Sequence, residues 1–194
     1  MHELTDEQVM LKYQEGDAQA MEELLRRYRN PIHSFAYRLS QDAVEAQDIA
    51  QEVFLKIHQF RAHYTPSGKF STWIFSITHN ICVSRLRKSK WLTLWPSKSS
   101  KLDEPMEFQS PEASPQDVAA QNETAQLVRT CIQGLPFLQK EALILREYEN
   151  LDYQEIASIL HMSLGAIKSL IFRARQTLKE RLLPFVEDSS GGLR

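Results

Sequence analysis

An all-α chain of two helical domains on a flexible linker is what this sequence predicts, and three observations predict it. Apolar residues recur at steps of three and four through most of the chain, and the eight prolines stand mostly outside those stretches. Helix-start signals, a Thr or Asp followed three residues later by Gln or Glu, precede several of them. From about Leu92 to Asn122 the periodicity fails in a run rich in proline and serine, WPSKSSKLDEPMEFQSPEASPQD, which reads as a linker stiffened by proline.

Taken in order, Thr5 with Gln8 caps a short first helix that ends near Gly16. Asp17 caps a long second one, in which Met21, Leu24, Leu25, Tyr28, Ile32, Phe35, Ala36 and Leu39 recur on one side. Pro31 inside that pattern implies a kink or a local break. Asp42 with Glu45 is a further capping box, and the third helix runs to about Phe60 with Ile49, Val53, Ile57 and Phe60 inward. Its outer side carries Asp48, Gln51, Glu52 and Lys56, spaced to share one face; without a known partner this is a solvated face.

After a loop with Pro66 and Gly68, Ser71 or Thr72 caps a fourth helix whose core side is Ile74, Ile77 and Ile81. Phe70, Trp73 and Phe75 crowd its start, and Arg85, Arg87 and Lys88 its end. Rings beside a basic row suit single-stranded nucleic acid, because bases stack on the rings while cations follow the backbone. The alternative is that Trp73 and Phe75 are core. His79 and Cys82, three residues apart, have the spacing of two metal ligands, but no second pair exists and no metal is expected.

Beyond the linker, a helix is expected from Glu123 to Gln133, stopped by Gly134, and another after Pro136 with Leu138, Ala142, Leu145 and Tyr148 inward and Asn150 at its end. Then comes LDYQEIASILHMSLGAIKSLIFRARQTLKERLL, two helices about a tight corner at His161-Met162. Asp152 with Glu155 boxes the first and Ser163 caps the second. On the second, Ile167, Leu170, Ile171, Ala174, Leu178 and Leu182 form the buried row; Lys168, Ser169, Phe172, Arg173 and Arg175 flank it. This is the layout of a helix-turn-helix whose second helix fits a major groove. An ordinary helical hairpin with a basic face is the alternative. The tail EDSSGGLR is expected to be disordered.

Charge comes in blocks. Between Met1 and Phe60 eleven acids face six bases; Cys82 to Lys101 carries six bases and no acid; Leu102 to Glu123 carries six acids and no base. Such alternation suggests separate surfaces for separate partners, the basic ones resembling nucleic-acid footprints. No apolar run is long enough to span a membrane, and MHELTDEQV lacks the profile of a signal peptide. Cys82 and Cys131 lie in amphipathic patterns and read as reduced core residues of a cytoplasmic protein.

Three segments, AQDIAQEVFLKI, FSTWIFSITHN and LDYQEIASILHMSLGAIKSLIFRAR, stand in the order and at the separations of a known family. The chain resembles bacterial RNA polymerase sigma factors of the extracytoplasmic-function class. The resemblance implies region 2 over 1–91, a linker over 92–122, region 4 over 123–186 and a tail over 187–194. It implies no catalytic activity and no cofactor, and binding to core polymerase and promoter DNA. Asp48, Gln51, Glu52 and Phe54 match the surface that docks on the clamp helices of the β′ subunit, with the β subunit a further contact. Tyr64, Phe70, Trp73 and Asn80, followed by the basic Arg85 and Arg87, match the elements that capture a flipped base of the −10 element. Lys168, Ser169, Phe172 and Arg173, with Arg175 beside them, match positions facing the −35 element.

Two departures stand out. Gln47 occupies a position where the family often has an acid, and Leu170 one where many members have Arg, removing a phosphate contact. An anti-sigma factor is a further expected partner. A small-molecule substrate and membrane insertion are not expected. The competing reading is a free-standing helix-turn-helix regulator. An enzyme would need a phosphate loop, a two-His metal motif or a triad, and none is present in the sequence.

The linker carries one more expectation. About 30 residues average only about 30 Å as a coil, whereas DNA sites two helical turns apart lie about 70 Å from each other. The free protein is therefore expected to be compact and to bind duplex promoter weakly. The acidic block is expected either to mimic nucleic acid inside the polymerase or merely to keep the linker soluble.

Overall fold

Four side-chain caps set the helix starts where the residue pattern puts them. The computed structural model describes residues 4–92 and 115–190, with side chains over 4–85 and 124–185. Thr5 and Gln8 form a reciprocal capping box at the start of α1 (Asp6–Gln14). Asp17 accepts from the Gln19 amide to open α2 (Ala18–Ser40). Asp42 accepts from Val44 and Glu45 to open α3 (Ala43–Phe60). Asp152 and Glu155 form a second full box at α7 (Tyr153–Leu160). Between these lie a 3-10 turn (Arg61–His63), α4 (Phe70–Leu92), α5 (Pro115–Gln133) and α6 (Phe137–Glu147), and α8 (Leu164–Ser190) closes the chain. Among the described residues there is no strand.

Several expectations need correcting. Of the kink or break expected at Pro31, the break does not occur: α2 runs through it as one helix. The Asp42 box is one-sided, because the Glu45 carboxylate turns to Arg85 instead. α4 begins at Phe70, and neither Ser71 nor Thr72 caps it: the Phe70 amide donates to Glu7 Oε1 of α1 at 2.7 Å. α5 begins at Pro115, before the expected Glu123. Phe60 is 46% exposed, not inward. Leu138 and Tyr148 are also exposed; α6 instead buries Lys140, Glu141, Ala142, Leu143, Ile144 and Leu145. That helix lies between α2, α7 and α8, so no side of it faces water continuously and a single-stripe reading fails. The end of α8 keeps Glu187 to Ser190 helical. Residues 93–114, with most of the linker and its acids, and 191–194 of the tail lie outside the described residues.

α1 to α4 pack around Leu24, Ile32, Phe35, Ile49, Ile57, Phe70 and Ile74, all essentially inaccessible to solvent. Phe35 meets Phe75 edge to face at 5.5 Å. α6 to α8 pack around Ile144, Leu145, Ile156, Ile159, Ile167 and Ile171, and α5 joins them through a separate cluster of Ile132, Leu135, Leu143 and Ala174. His161, in the left-handed region at φ 53°, turns the chain between α7 and α8, and Ser163 Oγ accepts from the Ala166 amide at 3.2 Å. The two helices meet at 103°, within the range of a helix-turn-helix. At the end of α5, Arg181 donates to the carbonyls of Cys131 and Gly134. A Cβ at Gly134 would come within 2.2 Å of that guanidinium, so any larger residue there would displace the Arg181 side chain from this position. No single described helix is long and apolar enough to cross a membrane.

Candidate nucleic-acid interface

Three surfaces carry the residues singled out from sequence. The first is the loop between α3 and α4. Phe60, His63, Tyr64, Thr65, Ser67 and Trp73 line a cavity of about 260 Å³ there. Trp73 is half-buried and meets Tyr64 at 5.0 Å and Phe70 at 5.5 Å. Of the expected stacking rings, Phe70 is fully buried and closes the floor of the core instead of facing a ligand. Tyr64 is 5% exposed, and its hydroxyl is buried without a hydrogen-bond partner. Burial, with Glu7 and Asp6 nearby, raises its pKa above the ordinary phenol value, so it stays a neutral donor. Phe60 and His63, which sequence reasoning did not assign to this site, complete the walls. The residue pattern gave no signal for them, because Phe60 sits in register with the buried face of α3.

α1 holds this loop. Gln14 Nε2 donates to the carbonyls of Ala62 and Tyr64 at 3.1 and 3.2 Å, while Glu7 caps α4 from the other end of the same helix. Burial opposes the charge of Glu7, but the Phe70 amide and other donors outweigh it and hold the carboxyl below its ordinary pKa. Replacing Gln14 by alanine removes both loop contacts, worth about 0.5–1.5 kcal/mol each. Amide exchange at Tyr64 is therefore expected to quicken about tenfold, with a much smaller change in global unfolding.

The second surface is the outer side of α3. Asp48 and Gln51 are exposed and Glu52 is half-buried. Phe54 belongs to the opposite side: it is 7% exposed, within the core. Its place on the outer face is taken by Val44 and Leu55, 69% and 61% exposed. Val44, Asp48, Gln51 and Leu55 are spaced by four, three and four residues, so they make one stripe. Arg85 of α4 ties this surface to the next helix: it bonds Glu52 at 2.7 and 3.0 Å and reaches Glu45 at 3.3 Å and Asp48 at 3.8 Å. Burial works against its charge, but Glu52 and Glu45 more than offset that, raising its pKa. Arg85 is thus held by acids in this structure and not presented free beside Asn80, which is exposed. The Arg87 side chain lies outside the described residues.

The third surface is α8. Lys168, Phe172 and Arg173 are exposed, Phe172 at 69%, and Ser169 is half-buried. Arg175 points to a different neighbour, bonding Glu147 of α6 at 2.5 and 3.1 Å. Hydrogen bonding to Glu147 raises its pKa. Cys82 is buried, and burial pushes its thiol up to about 12, an inert core group. No cluster suited to a metal occurs among the described residues; His79 is engaged by Glu141 at 2.6 Å.

Comparison with known proteins places the chain in a family. The Sigma-70 region 2 family model matches residues 24–92, and the Sigma-70, region 4 model matches residues 125–178. The RNA polymerase sigma-H factor of Pseudomonas aeruginosa is 31% identical, over 95% of this chain and 97% of that one. The ECF RNA polymerase sigma-E factor of Escherichia coli is 28% identical, over 95% and 97%. Among solved structures, CnrH in complex with the cytosolic domain of CnrY aligns with TM-score 0.67 and 20% identity, covering 91% of this chain and 96% of that one. The sigma factor RpoE, in complex with the anti-sigma factor NepR from Bartonella quintana, aligns at 0.66 and 24%, covering 83% and 95%. Both likenesses show the same helical fold. On these matches the chain belongs to the sigma-70 family of bacterial RNA polymerase sigma factors, in its extracytoplasmic-function class, and acts as a transcription initiation factor.

Proposed function

We propose that this sigma factor divides promoter reading between its two halves. The first half captures an unpaired base of the −10 element in the cavity beside Trp73, and the second lays α8 in the major groove of the −35 element. The observation that carries this reading is the cavity itself. Exposed ring surface at Phe60 and Trp73, with the polar His63, Thr65 and Ser67 beside it, makes it a site for one planar, hydrogen-bonding group. Opening DNA without ATP requires binding to offset lost stacking, about 1.4 kcal/mol per step. One base stacked on aromatic rings supplies about 1–3 kcal/mol, so capture of one or two bases is sufficient to trap a breathing duplex. Asn80 extends the strand path along α4.

The α3 stripe is the polymerase-docking face in this reading. Two exposed aliphatic residues among acids fit a partner helix that is apolar with basic flanks. Leu55→Asp is expected to weaken binding to core polymerase about tenfold, as the loss of one buried aliphatic side chain implies, without shifting the thermal midpoint of the free protein. The chain supplies no catalysis of its own and works in the cytoplasm, where polymerase and chromosome are. An anti-sigma partner is part of the proposal, supported by the likeness to RpoE held by NepR. In vitro transcription with core polymerase on a fragmented genomic library, with start sites mapped, tests the whole reading. Initiation at defined sites that depends on the added chain is expected; unselective initiation would overturn it.

A further inference from the structure

α1 reaches both ends of the loop that carries the candidate cavity, and the region 2 family model, which begins at residue 24, leaves this helix out. Gln14, its last residue, donates through Nε2 to the Ala62 and Tyr64 carbonyls at 3.1 and 3.2 Å. Glu7, in its first turn, accepts from the Phe70 amide at 2.7 Å. Between them Tyr13 hydrogen-bonds His58 Nδ1 in the last turn of α3 at 2.5 Å. Glu7 and Gln14 are seven residues apart, so they stand on one face of α1, about 10 Å from each other along its axis.

The helix itself is firmly seated. Asp6 accepts from Arg27 and from the Tyr28 hydroxyl of α2, and Val9, Met10 and Tyr13 are buried. The loop has far less to hold it. Among the described residues, the other backbone hydrogen bonds from Tyr64 to Gly68 are local, the Tyr64 amide to the Arg61 carbonyl at 3.3 Å and the Ser67 amide to the Thr65 carbonyl at 2.8 Å. The Tyr64 hydroxyl has no partner. Its ring is therefore set by packing on Phe70 and Trp73 and by the backbone that Gln14 grips.

We propose that α1 is a spacer for base capture, with Gln14 and Glu7 as positioning residues that keep the two ends of this loop at the separation in which Tyr64 and Trp73 receive a base. This rests on the capture reading proposed above. A short exposed loop left to itself samples many shapes, and apparent affinity falls with the share of them able to bind. Order imposed before the base arrives lowers the ordering cost of capture. Neither Gln14 nor Glu7 lines the cavity, so each acts through the residues that do. Packing of α1 on the core accounts for Val9 and Met10. It does not call for two polar side chains on the backbone at both ends of one loop.

Full-length wild type, Gln14→Ala, Glu7→Ala and Glu7→Gln, each assembled with core polymerase, test this on a promoter found by start-site mapping. Abasic residues placed singly through the −10 element locate the captured base as the position whose loss slows wild-type opening most, read by 2-aminopurine at a neighbouring position. On the intact promoter Gln14→Ala and Glu7→Ala are expected to open roughly three- to thirtyfold more slowly. Glu7→Gln keeps an acceptor for the Phe70 amide and should stay within about twofold of wild type. On the promoter lacking the captured base, wild type and Gln14→Ala should open at rates within about twofold of each other, because an ordered loop then has no base to seat. Circular dichroism checks the folds, and Gln14→Ala carries the test alone should Glu7→Ala unfold. Equal slowing of Gln14→Ala on both promoters marks a merely structural role and overturns the proposal, as does no slowing on either; both outcomes leave base capture standing. If no abasic position slows the wild type, base capture itself fails and the proposal falls with it.

Discussion

Replacing Trp73 by alanine is expected to slow open-complex formation by roughly 5- to 150-fold, the range set by about 1–3 kcal/mol per stacked base. The loss should fall on strand opening and not on recruitment, because the α3 stripe and α8 lie on other elements. Trp73 also packs on Tyr64 and Phe70, so the variant is expected to unfold several degrees lower. Phe60→Ala separates the two effects. Phe60 lines the same cavity, but it is 46% exposed and outside the core, so its removal should reduce opening with little change in thermal midpoint. Fluorescence of 2-aminopurine placed in the −10 element measures opening directly. Equal opening by wild type and both variants would remove the cavity from the mechanism.

The two ring positions also show where the sequence was informative and where it was not. The frame of the helix-turn-helix was legible, because it is local: the Asp152 box, the His161 corner and the Ser163 cap each involve residues within a few positions. The cavity was only partly legible. Tyr64 and Trp73 belong to it, yet Phe70 is floor, and Phe60 escaped because a period of 3.6 cannot show that α3 outruns the core at its last residue. The cap on α4 comes from Glu7, 63 residues earlier, and no local pattern reports it. Arg85 illustrates the same limit. Its basic context suggested DNA, but the acids that hold it, Glu45 and Glu52, are supplied by another helix.

The contact between the two halves was invisible for a further reason. His79 drew notice through its spacing to Cys82, whereas its actual partner, Glu141, lies on α6 across the linker. Lys140 sits at a position that a single-stripe reading of α6 gives to solvent, and Glu141, although in register with Leu138 and Leu145, is a charged residue that such a reading leaves out. Only packing against α2 on one side and α8 on the other buries them. The compactness expected from the linker length is therefore matched by specific contacts that linker length alone does not predict.

Arg173→Ala and Arg175→Ala are expected to behave oppositely although the residues are two apart. Arg173 is exposed beside Lys168 and Phe172 on the outer side of α8. An arginine that contacts base edges or phosphates in a major groove contributes about 1–3 kcal/mol. Its loss should therefore reduce −35-dependent transcription by roughly 5- to 150-fold. A base contact would relax preference at one position; a phosphate contact would weaken all sequences equally and lower the salt slope by about one counterion. Arg175 is turned toward Glu147 by two hydrogen bonds. As a half-exposed pair it contributes no more than about 1 kcal/mol to stability, so Arg175→Ala should leave −35 recognition within about twofold of wild type. Binding of region-4-directed duplexes by the polymerase holoenzyme, titrated against salt, distinguishes these outcomes. Because Leu170 supplies no cation on that helix, removing Arg173 and Lys168 together is expected to abolish −35 dependence. Promoters lacking a −35 match would then be transcribed as well as those that have one.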